Sequence, residues 1–245
     1  MTHGQRFAES KDPADQAWGE LLDAAARLQE LVPDLVLVGG TATALHAGHR
    51  YSRDADHVAA DLQERFDRVL RMLEGVSGWS SNRRRGKVLV LGSLDGVDVG
   101  LRQLRRSRPL DSQEVTTPNG RTLVVPTAAE MLRIKGILVV ARNATRDYLD
   151  AAAMCDVLGA EAAAREVAHM DDYYDADEFT GGLPVSIEEI RRFAEPIPTE
   201  ADPQQVLDRM QGLAPAWRDW GNVVDKLQAT AAIAAEHVLL EGDGE

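Results

Sequence analysis

The sequence predicts an α+β fold: a mixed sheet with flanking helices over residues 1–160, followed by a helical carboxyl-terminal domain over 161–245. Two observations lead there. As far as Leu158, short apolar runs closed by glycine or Asn-Gly turns alternate with segments of 3.6-residue periodicity, the pattern of strands interleaved with helices. Beyond Gly159 the strand signals stop. An alanine-rich run leads into the acidic stretch Asp171, Asp172, Asp175, Asp177 and Glu178, then Gly181-Gly182 and Pro184, the expected hinge, and the later elements read as helices.

Taken in order, residues 14–31 place Trp18, Leu21, Leu22, Ala25 and Leu28 at helical spacing, and Pro33 ends that helix. Leu35 to Val38 reads as a buried strand stopped by a turn at Gly39-Gly40, and Thr41 to Ala47 as a short helix. A half-strand over Asp54 to Val58 precedes a helix marked by Leu62, Phe66, Val69, Leu70 and Leu73. Lys87–Leu91 and Gly96–Leu101 form an expected hairpin around Ser93 to Gly96, and Gln113–Thr117 and Arg121–Pro126 another around Asn119-Gly120. Thr127 and Glu130 have capping-box spacing and open a helix to Arg142. Asn143 to Thr145 breaks it before a further helix, 146–158. Past the hinge, Ser186 to Glu189 caps one helix, Asp202-Pro203 opens the next, and 216–240 forms the last.

Composition narrows the functional classes. With 44% hydrophobic and 27% charged residues, the chain resembles an ordinary globular protein. No apolar run approaches the ~18 residues of a membrane span, and Met1 to Asp15 lacks the apolar stretch of a secretory signal, so a cytoplasmic protein is expected. The single Cys155 cannot close an intramolecular disulfide. A net charge of −13 opposes non-specific coating of nucleic acid. Residues 82–108 run the other way, with Arg83, Arg84, Arg85, Lys87, Arg102, Arg105, Arg106 and Arg108 against Asp95 and Asp98. That stretch is net +6 and the remainder −19, a local surface for one phosphate-bearing partner.

The chemistry-bearing segment runs from Gly39 to Asp56. Asp54 and Asp56 are two apart, so on a strand both carboxylates project from one face. Paired hard oxygens suit magnesium, which completes its octahedron with water and phosphate oxygens. Ahead of them Gly39 and Gly40 allow close backbone approach, and a helix starting at Thr41 directs amide donors at a phosphate. Asp98 shares its strand face with Gly96 and Gly100, an open face on which a third carboxylate completes a two-metal site with Asp54 and Asp56. Lys135 and Arg142, seven apart, share one stripe of a largely apolar helix and are candidate partners of an NTP's phosphates. Asp147 and Asp150 on the next helix are candidates to orient them. His57 is expected to face away from the carboxylate pair.

Gly39-Gly40-Thr41 followed by His49-Arg50-x-Ser52-x-Asp54-x-Asp56, with the later Lys135-x6-Arg142-x4-Asp147-x2-Asp150, resembles the signature of the AbiEii/AbiGii nucleotidyltransferase toxins, which include the MenT toxins of mycobacteria. The resemblance covers about residues 33–158; it departs at Ala55, where a bulkier aliphatic is usual, and does not extend into the carboxyl-terminal half. It implies a polymerase-beta-like sheet. With the residue pattern above, it gives Asp54, Asp56, Asp98 and Lys135 as the expected catalytic residues, and Gly39, Gly40, Thr41, Ser52, Lys135 and Arg142 as expected nucleotide contacts. Magnesium is the implied cofactor, NTP the co-substrate, an antitoxin the partner and the 3′ end of tRNA the acceptor. Two alternatives remain at this level: a small hydroxylated acceptor, which would not need Arg83 to Arg85, and a nucleotide-binding module without catalysis, against which the presence of all three carboxylates and Lys135 weighs.

Overall fold

The computed structural model describes residues 13–106 and 108–242. Residues 1–12, most of the segment read above as lacking a signal, lie outside them. The described residues form two compact units, one drawn from residues 13–45 and 51–127, the other from 46–50 and 128–242. The division therefore falls after Thr127, not at residue 160. Helices 128–142 and 145–158 pack with the later helices and belong to the second unit.

The first unit holds α1 (Pro13–Leu31), β1 (Val36–Val38), the start of α2 (Gly39–Ala47), β2 (Asp54–Ala59), α3 (Leu62–Glu74), β3 (Trp79–Arg85), β4 (Leu89–Leu94), β5 (Val97–Gln103), β6 (Ser112–Thr116) and β7 (Thr122–Pro126). Five strands make a mixed sheet in the order β1-β2-β5-β4-β3, in which β2 and β5 are parallel and the other neighbours antiparallel. β6 and β7 form a separate hairpin, which Gln29 of α1 grips like a strand. Its amide donates to the Val124 carbonyl (2.8 Å) and accepts from the Val124 amide (2.7 Å).

Burial alternates along β2 and β4. Ala55, His57, Ala59, Val90 and Leu94, with Val99 and Leu101 of β5, point into a core shared with α1 and α3. Asp54, Asp56, Asp98, Arg102, Leu89, Leu91 and Ser93 stand on the other face, exposed or half-buried. α3 forms because Leu62, Phe66, Val69, Leu70 and Leu73 gather on one stripe, and all five are buried. The β4–β5 turn is shorter than the sequence suggests: two residues, Asp95 (φ 54°) and Gly96 (φ 85°), both left-handed as a type I′ turn requires. β3 was not expected from the sequence at all.

The second unit is helical: α4 (Ala128–Arg142), α5 (Thr145–Leu158), α6 (Ala160–Ala168), α7 (Ala176–Phe179), α8 (Val185–Ala194), α9 (Pro203–Asp208) and α10 (Trp220–Gly242). Asn143, at φ 53°, makes the break between α4 and α5. The amino terminus of α8 is capped from a distance, not by its own serine. Asp171 accepts from the Val185 and Ser186 amides and from the Ser186 hydroxyl. Asp202 caps α9 as expected, accepting from the Gln205 amide at 3.0 Å.

Candidate active site

The parallel pairing of β2 with β5 sets Asp54 directly opposite Asp98 and Asp56 opposite Gly100. Opposed residues share a face, so all three carboxylates project from the open side of the sheet. Glycines make room for the middle one. A Cβ at Gly100 would lie 2.2 Å from Asp56 Oδ1, and one at Gly39 would lie 3.5 Å from Asp56 Cβ. Gly39 has φ 74° and is already the first residue of α2, so the expected turn and helix start coincide beside Asp56. The amides of that first turn have no intrahelical acceptor and suit a phosphate.

Other predicted residues hold this framework. Thr41 is buried and its hydroxyl donates to the Asp54 carbonyl at 2.6 Å, so its side chain braces the start of β2; a nucleotide contact falls to its amide. Ser52 donates to Asp54 Oδ1 at 3.0 Å. His57 lies on the core face, as expected, and burial pushes its imidazole down to about 4, so it is neutral near pH 7. Arg102, two residues beyond Gly100, brings its Nε to 3.5 Å from Asp56 Oδ1. The sequence reading counted it only in the basic stretch; strand parity from Asp98 places it on the carboxylate face once the register is known.

The donor set fits a divalent cation of magnesium type: hard carboxylate oxygens on adjacent strands, with no core side chain between Asp56 and Gly100. As they stand, no three His, Cys, Asp or Glu side chains among the described residues converge on one ion position. Asp54 is turned to Ser52 and Asp56 to Arg102, so the carboxylates have to rotate onto a cation.

The second unit contains a buried polar cluster built around Asp150. Its carboxylate takes Lys135 Nζ at 2.7 Å, Arg50 Nε and Nη2 at 2.8 and 2.9 Å, and His49 Nε2 at 2.8 Å. Burial alone would raise the Asp150 pKa, but the Arg50 and Lys135 cations and the His49 hydrogen bond hold it well below the ordinary carboxylate range. His49 is shifted down, burial outweighing its attraction to Asp150. Asp147, 3.8 Å from Lys135, is shifted up by burial against the pull of Lys135 and Arg142. Of the expected contacts of Asp147 and Asp150 with Lys135 and Arg142, the structure shows a hydrogen-bonded one between Asp150 and Lys135 and a looser one between Asp147 and Lys135. Arg142 is exposed and acts on Asp147 through its charge. The tie of His49 and Arg50 to Asp150 was missed, since the sequence places them only in the signature ahead of the aspartates.

An open-faced sheet with aspartates on adjacent central strands and a glycine-led helix start beside them defines a nucleotidyltransferase. Residues 20–226 match the model of the AbiEii toxin nucleotidyl transferases, described as a type IV toxin–antitoxin system, and the chain belongs to that family. Among solved structures, MenT4, a nucleotidyltransferase toxin of Mycobacterium tuberculosis H37Rv, shares the fold: TM-score 0.51 at 16% identity, covering 94% of this chain and 88% of that one. Curated relatives match over part of their length. The heme uptake protein MmpL11 of Mycobacterium tuberculosis is 37% identical over 100 residues, 41% of this chain and 10% of that protein. MmpL11 of Mycolicibacterium smegmatis, a mycolic acid-containing lipids exporter, is 32% identical over 164 residues, 67% of this chain and 16% of that protein. The chain thus spans a small fraction of those relatives. No helix among its described residues is long and apolar enough to cross a membrane.

Proposed function

We propose that the chain transfers a nucleoside monophosphate from an NTP to the 3′ hydroxyl of an RNA, a tRNA end, in the cytoplasm, as the toxin of a pair with a cognate antitoxin. The observation that carries this reading is the register of Asp54 against Asp98, with Asp56 seated between Gly39 and Gly100. Magnesium held by Asp54, Asp56 and Asp98 would supply charge neutralisation for the triphosphate and acidify the attacking hydroxyl. The first amides of α2 receive phosphate oxygens of the NTP. The acceptor oxygen bonds to the α-phosphorus as the α–β bridging bond breaks and pyrophosphate departs; in this reading Asp98 takes the hydroxyl proton, a role supported by its exposure and its register opposite Asp54. The motif alone speaks for Lys135 and Arg142 as phosphate contacts; Lys135 is buried and bonded to Asp150, so its charge is already partnered within the helical unit.

The net +6 stretch supports an RNA acceptor over a small one, because a small hydroxylated molecule presents few phosphates. The test incubates the protein with each labelled NTP, magnesium and total tRNA, alongside Asp56→Ala. The variant should lose transfer while keeping its circular dichroism and melting temperature. A folded Asp56→Ala protein with unchanged turnover would refute the assignment.

A further inference from the structure

The sheet divides the arginine stretch between its two faces. β3 is an edge strand, paired with β4 so that Arg83 opposes Leu91, Arg84 opposes Val90 and Arg85 opposes Leu89. Following the pairing across the sheet, Asp56, Gly100, Leu91 and Arg83 form one row. Val58, Arg102, Leu89 and Arg85 form the next. Arg83 and Arg85 therefore stand on the face that carries the aspartates. Arg84 lies with buried Val90 on the other face, where Glu74 of α3 pairs with it, and Lys87 pairs with Asp67 of the same helix at 3.1 Å. No carboxylate among the described residues pairs with Arg83 or Arg85, although both are exposed.

The position matters as much as the charge. Gly39 and the start of α2 follow β1, at the opposite edge of the sheet from β3, and the aspartates lie on the strands between. Nucleotidyl transfer is an in-line displacement, in which the attacking and leaving oxygens occupy opposite sides of the phosphorus. With the leaving pyrophosphate on the α2 side, the acceptor has to arrive from the β3 side. From Asp56 to Arg83 is three strand spacings, ~14 Å at ~4.8 Å each, or about four nucleotides of a stacked strand at ~3.4 Å per nucleotide. Half-buried Leu91 and Leu89 lie between, an apolar surface that bases can cover.

We propose that Arg83 and Arg85 form a phosphate subsite for the acceptor strand, engaging its backbone about four nucleotides upstream of the 3′ hydroxyl. The subsite rests on the RNA-acceptor reading above and adds to it a location, a polarity and a length requirement. It leaves Arg84 outside, as a partner of α3.

The test compares wild type, the double variant Arg83→Ala/Arg85→Ala, and Arg84→Ala, using 5′-labelled oligoribonucleotides of two to eight nucleotides with a free 3′ hydroxyl. NTP extension and binding are measured at several salt concentrations, and melting temperature reports the fold. With the longer oligomers the double variant should raise the RNA KM about tenfold or more and leave the NTP KM unchanged. It should also flatten the log K against log salt slope by about 1.4, two contacts at ~0.7 each for single strands. Arg84→Ala should match wild type, and with oligomers below about four nucleotides all three proteins should behave alike. If wild type extends the long oligomers and the double variant does so equally well, or Arg84→Ala loses as much, the subsite is refuted while the RNA reading stands. The first result would leave the pair to an acidic protein partner. Wild type that neither binds nor extends any oligoribonucleotide removes the RNA reading and the subsite with it.

Discussion

Gly100→Ala separates the geometry of the site from the stability of the fold. The new Cβ would lie 2.2 Å from Asp56 Oδ1 and 3.2 Å from Leu91 Cδ2. Ordinary contact begins near 3.4 Å, so the Asp56 carboxylate must retreat by roughly 1.2 Å, the difference between the two distances. The same Cβ narrows the room in which that carboxylate turns from Arg102 onto a cation, and a misplacement of about 1 Å in a catalytic constellation costs on the order of 100-fold in rate, about 2.7 kcal/mol of transition-state stabilisation. The backbone has no objection, because Gly100 lies within β5 and has no positive φ. Replacing glycine by alanine at such a position is neutral or stabilising by up to about 1 kcal/mol. The expected result is therefore a kcat/KM for NTP-dependent transfer lowered about 100-fold with an unchanged or raised melting temperature. Gly96→Ala is the control with the opposite signature. Its Cβ meets nothing within 4 Å, but φ 85° strains any L side chain, so stability falls and intrinsic activity at low temperature persists. Wild-type kinetics in Gly100→Ala would refute the idea that Asp56 works from its position between Gly39 and Gly100.

Two further predictions concern the helical unit. Asp150→Asn leaves Lys135 and Arg50 without the carboxylate that both are bonded to, and should cost about 3–5 kcal/mol in a denaturant titration; a loss below about 1 kcal/mol would mean that the cluster does not hold α4 to α5. Glu189 of α8 is fully buried beside Gly136, neither carboxyl oxygen has a hydrogen-bond partner, and burial, aided by the negative charge of Asp171, raises its pKa well above the ordinary value. Its folded pKa exceeds its unfolded one, so the stability linked to the neutral acid is complete below the unfolded range near ~4.3 and is lost as pH rises through the folded pKa. Glu189→Gln keeps the shape without the titration, so urea midpoints between pH 5 and 9 should fall less steeply than in wild type; parallel curves would exclude Glu189 as the source.

The legible parts of the fold were those whose periodicity survives in one strand or helix. α3 announces itself through five apolar residues on one stripe, and the aspartates through a spacing that strand geometry turns into a shared face. β3 was illegible because Trp79 to Arg85 contains no alternating apolar set. Its pairing comes from the backbone of β4, and its exposed edge tolerates charge, which also discourages pairing with other chains. The unit boundary was misread for a related reason. Apolar residues on α4 and α5 say that both helices are buried but not against which partners, and α6, α8 and α10 supply those. The tie of His49 and Arg50 to Asp150 spans about a hundred residues of chain, and no local pattern encodes a contact of that separation.

The Asp150 cluster also shows why a motif match does not by itself assign a free charge to a ligand. Arg50 and Lys135 bring two positive charges, His49 is neutral because burial lowers its pKa, and Asp150 returns one negative charge. Asp147 adds a second carboxyl at the edge of the cluster. Its carboxyl is raised by burial, and at 3.8 Å it is beyond hydrogen-bond distance from Lys135. Asp150 is committed to the fold on all sides, so its protonation is not available as a variable. Asp147 makes the looser contact with Lys135, at 3.8 Å, and also feels the charge of exposed Arg142 at the end of α4, so of the two carboxylates beside Lys135 it is Asp150 that holds the ammonium in place.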